Sequence, residues 1–248
     1  MDLSIVIPVF EESGKISRDI KEAAAFLQKN HLTGEIIVVD DGSSDNTAEA
    51  AKNTKTPSEI LLKVVHLDYN RGKGYAVRTG IMQTIGEYVM FADSGCCVPY
   101  KNVLLGLKLL KGRECDIAHG SRKLKESQIL RPQNLYRRIC SVFFHWSMIY
   151  FMKIPSELTD TQCGFKIYRG DIGRALYRQC TIDGFMFDVE IILRALKQGF
   201  AIKEFPIEWT CDRDSRLMPA RSLWRIFSEL LTINGLGHPL RERTLAKK

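Results

Sequence analysis

The chain has 248 residues, 45% apolar and 26% charged, ordinary values for a soluble globular protein and enough for one large or two small domains with a buried core. Its formal net charge of +7 and pI near 9.0 suit a polyanionic partner: nucleic acid, an anionic membrane surface or a phosphorylated substrate. Seven cysteines are scattered without a CxxC pair, which excludes a tetrahedral metal framework and reads as reduced thiols in a cytosolic setting. No run of about 18 apolar residues exists to span a bilayer.

Leu3 to Ile7 reads as a buried strand ended by Pro8, with no signal peptide ahead of it. A helix follows over Ser17 to Lys29, with Ile16, Ile20, Ala23, Ala24 and Leu27 on one face. Ile36 to Val39 is apolar throughout, the pattern of a parallel strand covered on both faces, and runs directly into Asp40-Asp41-Gly42-Ser43-Ser44-Asp45. Gly42 permits a positive φ, and Ser43 or Ser44 can cap the short helix expected over Asp45 to Lys52. In open α/β sheets, ligands bind at the carboxyl ends of strands. A carboxylate pair there is a poor phosphate site but a good acceptor for ribose hydroxyls, base N–H groups or a divalent cation.

Leu61 to His66 is a third strand, completing a β-α-β-α-β start. Asn70-Arg71-Gly72-Lys73-Gly74 is a basic glycine-rich turn opening a helix expected to reach Ile85; its charge and helix N-terminus favour phosphate, without the spacing of a Walker A loop. Tyr88 to Asp93 is a fourth strand that again ends in a carboxylate. Tyr100 to Leu110 reads as a helix, and Asp116 to Arg122 as a fifth strand with a cationic end.

From Lys123 the alternation stops. A basic stretch containing Arg131, Arg137 and Arg138 leads into an aromatic-rich segment up to Lys153, too short to span a membrane but suited to lie in its interface or to form a buried helix. Asp160 to Lys166 is a polar loop before a short strand, Lys166-Ile167-Tyr168. Asp183 to Glu190 opens a helix that continues to Gln198, with Asp188 and Glu190 near its start. Ala201 to Trp209 reads as the last strand, followed by an arginine-rich loop over Cys211 to Arg221, a helix over Ser222 to Asn234, and a basic tail.

Seven segments in order carry a resemblance: Ser4 to Glu12, Val38 to Thr47, Asn70 to Gly74, Phe91-Ala92-Asp93, Gly120-Ser121-Arg122, Asp160 to Lys166, and Phe187-Asp188-Val189-Glu190. Together the chain resembles the family-2, GT-A-fold glycosyltransferases, and within them the polyprenyl- or dolichyl-phosphate glucosyl- and mannosyltransferases. The likeness implies an α/β fold: a mixed, mostly parallel, Rossmann-like sheet flanked by helices, with acceptor-side helices towards the C-terminus. It implies one domain over residues 1–236, with a nucleotide-sugar half (1–122) and an acceptor half (123–236), and a basic tail over 237–248.

By the same likeness, Pro8, Phe10, Glu11 and Asp41 hold the base and ribose, Asp40 supports their turn, and Lys73 lies near the base or diphosphate. Asp93 matches the first acid of the family's metal-binding Asp-x-Asp, and Gly95 stands where the second acid belongs. The implied cofactor is Mg2+ or Mn2+, held by Asp93 with Glu190 or Asp188 supplying the missing oxygen. Asp93, Arg122, Asp188 and Gln162 are the catalytic candidates, and Arg122, Arg131 and Arg213 the cations for an acceptor phosphate.

The implied reaction is inverting transfer of a hexose from a nucleotide sugar, UDP-glucose ahead of GDP-mannose, to a polyprenyl phosphate. No nucleic acid is involved, and the protein is expected in the cytoplasm, peripheral to the cytoplasmic face of a membrane. A lipid phosphate needs little general base, whereas a hydroxyl acceptor requires one, such as Asp188. The alternatives are a family-2 transferase acting on a glycan hydroxyl and a catalytically silent nucleotide-sugar-binding subunit. Composition and motifs leave the oligomeric state open.

Overall fold

The computed structural model describes residues 1–131, 150, 152–211 and 228–233. Most of the basic-aromatic segment, Arg213 with its loop, much of the helix expected over 222–234 and the whole tail lie outside the described residues.

Strands β1 (Leu3–Val9), β2 (Gly34–Asp40), β3 (Leu61–His66), β4 (Tyr88–Ala92), β5 (Ile117–Ser121), β7 (Phe165–Arg169) and β8 (Ile202–Pro206) form a seven-stranded sheet in the order β3-β2-β1-β4-β7-β5-β8. β3, β2, β1 and β4 are parallel, β7 is antiparallel to β4 and β5, and β8 is parallel to β5. This is the mixed, mostly parallel sheet anticipated from the sequence.

The apolar runs are continuous because alternate residues enter opposite layers. Ile5, Ile7, Ile36 and Val38 pack with residues of α1 (Ile16–Lys29), α2 (Thr47–Lys52) and α4 (Val103–Lys111). Val6, Ile37, Val39, Val89 and Phe91 pack with residues of α3 (Lys73–Ile81), α5 (Gly170–Gln179) and α6 (Phe187–Lys197). Each such side chain contributes about 1.5–3 kcal/mol of burial free energy. α3 lies so close to the 182–187 loop that a Cβ on Gly74 would stand 2.6 Å from the Ile182 carbonyl oxygen.

Several expected boundaries are corrected. β1 continues through Pro8 to Val9, because its pairing with β4 stops at Val6 and a missing N–H beyond that point breaks no ladder bond on that side. α3 ends at Ile81, whose carbonyl oxygen accepts the Thr84 hydroxyl at 2.6 Å. A 3-10 turn over Tyr100–Asn102 precedes α4. The single last strand expected over Ala201 to Trp209 is two. β8 ends at Pro206, and β9 (Glu208–Thr210) leaves the main sheet to pair with β6 (Gln128–Arg131), a strand not foreseen in the basic stretch. The six described cysteines are free thiols.

Candidate active site

β1 is the topological switch point of the sheet. The first crossover carries the chain to β2 on one side, and the connection through α3 returns it to β4 on the other. The crevice at such a point is formed by the carboxyl ends of the flanking strands, here Val9-Phe10-Glu11, Asp40-Asp41 and Ala92-Asp93.

The Asp40 side chain is fully buried and supports its turn as expected: Oδ1 accepts the Ser43 N–H at 3.1 Å and the Ser43 hydroxyl, and Oδ2 meets His66 Nδ1 at 2.9 Å. Glu11, held at φ 56°, accepts the Ser44 N–H and hydroxyl at 2.7 Å each, while Ser43 Oγ accepts the Glu11 N–H at 2.7 Å. The ends of β1 and β2 are thus stitched into one rim. Asp41 is buried, and its two oxygens accept the N–H groups of Arg71 and Gly72, both at 2.8 Å. It thereby shapes the glycine-rich turn ahead of α3. Pro8 is buried in β1 and Phe10 half-buried at its end.

Lys73, the first residue of α3, reaches under this rim. Its Nζ lies 2.6 Å from Asp93 Oδ1 and over the rings of Phe91 and Phe187, at 5.9 and 6.0 Å. Burial works against its charge, but Asp93 and Asp188 outweigh burial and hold its pKa above the ordinary lysine value. Asp188, at the start of α6, is 3% exposed, and its Oδ1 lies 2.5 Å from Lys166 Nζ. Burial raises its carboxyl pKa against the pull of Lys166 and Lys73. Asp93, Lys73, Asp188 and Lys166, in that order, therefore form one chain of alternating charge from the crevice into the core. Gly164 closes it from β7's side: its carbonyl accepts the Asp93 N–H at 2.9 Å, and a Cβ there would lie 2.1 Å from the Asp93 carboxyl carbon.

Arg122 follows β5 and is gripped by Asp160, with Nε at 2.6 Å, Nη2 at 2.7 Å and the backbone N–H at 3.0 Å. Its guanidinium also lies 5.4 Å from the Trp209 ring. Burial opposes the pair, yet Arg122 holds Asp160 below the usual carboxylate range and Asp160 holds Arg122 above its own. Gln162 Nε2, in the loop leading to Gly164, is buried without a hydrogen-bond partner. Arg131 is exposed at the end of β6.

Glu190 does not join Asp93, contrary to expectation. It is fully buried, and its oxygens accept the Cys180 thiol, the Thr181 N–H and hydroxyl, the Ile182 N–H and the Arg194 guanidinium. Two positions from Asp188 on a helix, it points about 200° away around the axis. Among the described residues, no group of three His, Cys, Asp or Glu side chains forms a ready metal cage. Asp93, 39% exposed beside Lys73, still fits a divalent ion that takes its other oxygens from a diphosphate and water.

Sequence reasoning missed three buried ionisable groups. His119, on β5 opposite Lys166 in register, has both ring nitrogens unpartnered, and burial with Lys166 pushes its pKa well down. Lys166 stands where the Asp160–Lys166 loop meets a strand, and nothing in the sequence marks it as buried. Asp19 sits on the buried face of α1 beside Ile16, Ile20 and Ala23. An acid on an apolar stripe was the one visible signal.

A switch-point crevice rimmed by carboxylates, with a cation aimed into it, is the arrangement the resemblance to GT-A glycosyltransferases implies. Solved structures agree on the fold: glucosyl-3-phosphoglycerate synthase from Mycobacterium tuberculosis, in complex with Mn2+, UDP-glucose and phosphoglyceric acid, has a TM-score of 0.72 at 18% identity, covering 94% of this chain and 80% of that one. Mannosyl-3-phosphoglycerate synthase from Rubrobacter xylanophilus has a TM-score of 0.64 at 18% identity, covering 100% of this chain and 76% of its own. The chain belongs to glycosyl transferase family 2, whose family model matches residues 4–176. It is 31% identical over 245 residues to the dolichyl-phosphate beta-glucosyltransferase of Homo sapiens, covering 93% of this chain and 74% of that protein. The Drosophila melanogaster protein of the same name is 30% identical, with 94% and 74% covered.

Proposed function

We propose that the protein transfers glucose from UDP-glucose to a polyprenyl or dolichyl phosphate, with inversion at the anomeric carbon. The observation that carries the acceptor class is the state of Asp188. A hydroxyl acceptor needs a general base in contact with it, and Asp188, the expected candidate, is 3% exposed and ion-paired to Lys166. A phosphate oxygen is already deprotonated at neutral pH and needs none. The names of the relatives at 30–31% identity point to the same acceptor and to glucose.

In this reading residues 1–122 bind the donor, with Pro8, Phe10 and Glu11 beside the base and ribose and Asp40 and Asp41 holding the rim and the glycine-rich turn. Lys73 presents its ammonium where charge gathers on the departing diphosphate, fixed there by Asp93. A Mg2+ or Mn2+ ion held by Asp93 would supply Lewis-acid stabilisation of that same leaving group. Residues 123–236 receive the acceptor. Arg122 offers its phosphate the N–H groups that Asp160 does not take, Gln162 offers its unused Nε2, and Arg131 and Arg213 add positive charge.

The lipid is reached from the cytoplasmic face of a membrane by peripheral contact. The net charge of +7 favours an anionic surface, and no helix among the described residues is long and apolar enough to cross a bilayer.

Calorimetric titration with UDP-glucose and GDP-mannose, each with and without Mn2+, followed by a water-soluble short-chain polyprenyl phosphate, tests this reading. Mn2+-dependent binding of UDP-glucose, and of the phosphate but not of the corresponding alcohol, is the expected result. Preference for GDP-mannose overturns the sugar, and equal binding of alcohol and phosphate overturns the acceptor.

A further inference from the structure

Asp19 is 1% exposed on the core face of α1. A carboxylate there is costly unless its oxygens are satisfied, and burial pushes its pKa up. Both oxygens reach out of the helix to the loop after β4: Oδ2 accepts the Gly95 N–H at 2.9 Å, and Oδ1 accepts the Cys96 thiol at 2.7 Å. The preceding residue, Arg18, donates from Nη2 to the Gly95 carbonyl oxygen at 3.0 Å. Consecutive residues of one helix thus hold both polar backbone atoms of a single glycine far along the chain.

That glycine stands where the metal-binding pattern lacks its second acid, two residues after Asp93. It has φ 89°, and Cys96 follows at φ 50°. Two left-handed residues in succession persist only when their surroundings hold them. An aspartate at position 95 would be strained at this φ, so the bend and the missing acid go together.

We propose that Asp19 is a positioning residue: with Arg18 it clamps the Asp93–Cys96 loop, so that the one carboxylate left for a divalent ion and the donor diphosphate is held in place before they arrive. A site with a single protein carboxylate has only that ligand's placement to offer. Ordering it in advance replaces part of the affinity a second ligand would give. The inference rests on the reading that Asp93 serves the metal and diphosphate.

The test is Mn2+ titration followed by electron paramagnetic resonance at saturating UDP, beside titration of UDP without metal, on the full chain and on Asp19→Ala, Asp19→Asn and Arg18→Ala. Asp19→Ala weakens Mn2+ binding about tenfold and leaves metal-free UDP affinity unchanged. Asp19→Asn recovers most of the loss, because an amide oxygen still accepts the Gly95 N–H. Arg18→Ala, at an exposed residue, shows a smaller loss in the same direction. Wild-type Mn2+ affinity in Asp19→Ala, or a proportional loss of metal-free UDP binding, overturns the clamp. If Asp19→Ala does not fold, Arg18→Ala decides, and unchanged Mn2+ affinity in it overturns the clamp. Absence of UDP-dependent Mn2+ binding in the wild type defeats the metal reading together with the clamp, whereas a variant that matches a Mn2+-binding wild type defeats the clamp alone.

Discussion

Replacing Gly164 by alanine moves Asp93 without touching its chemistry. The new Cβ would lie 2.1 Å from the Asp93 carboxyl carbon, against the 3.4 Å at which such contacts become ordinary, so the carboxylate must retreat by about 1.3 Å. Gly164 is not among the left-handed glycines, so its backbone admits alanine, and the overpacking against Asp93 costs about 1–3 kcal/mol. A misplacement of about 1 Å in a reacting constellation costs on the order of 100-fold in rate, or about 2.7 kcal/mol of transition-state stabilisation. Steady-state transfer from UDP-glucose to polyprenyl phosphate, read beside thermal unfolding, checks this: kcat/KM falls about 100-fold, while Tm falls by only a few degrees and the protein stays folded at the assay temperature. A folded Gly164→Ala protein that keeps kcat/KM within about threefold would refute the central place given to Asp93.

Lys73→Met removes the cation between Asp93 and Asp188, and kcat is expected to fall about 100- to 1000-fold; turnover near wild type would show that the diphosphate is stabilised elsewhere. His119 is neutral in the fold, with its pKa depressed below the unfolded value near 6.5. The unfolded chain therefore binds the extra proton, and stability is lost as pH falls through about 6.5, by about 1.4 kcal/mol at a pH one unit lower. Denaturant unfolding of His119→Leu at both pH values should lack that part of the acid sensitivity. Glu190→Gln places an amide among the donors from Cys180, Thr181, Ile182 and Arg194, so it lowers stability by about 1–3 kcal/mol. Its Mn2+ affinity at saturating UDP stays that of the wild type; a clear loss would return Glu190 to the metal site.

The N-terminal half of the sheet was legible because its signals are local. The fully apolar runs of β1, β2 and β4 each end in acids, and burial on both faces forces that composition. Lys73 was legible from the glycines around it. From Arg122 onwards the reading was obscured by contacts distant in sequence. Arg122 reads as an available cation until Asp160, 38 residues on, takes two of its donors. Glu190 reads as a metal ligand until α6 turns it towards Arg194, one turn along the same helix. β6 carries four exposed residues and therefore no alternation to detect. The direction of β7 could not be read from a short strand, since antiparallel insertion between β4 and β5 is set by the sheet and not by its own composition. α5 opens on Gly170 and carries a second glycine at 173, residues of low helix propensity.

The most direct test of the account is transfer itself. Purified protein with Mn2+ and radiolabelled UDP-glucose is offered dolichyl phosphate, dolichol or 3-phosphoglycerate, and label is counted in the lipid and aqueous products. The account predicts glucose on dolichyl phosphate alone, as a β-linked, acid-labile phosphodiester, with no transfer to either hydroxyl acceptor. Glucosylation of dolichol or of the 3-phosphoglycerate hydroxyl would contradict it, because Asp188, buried against Lys166, would then have to act as a base.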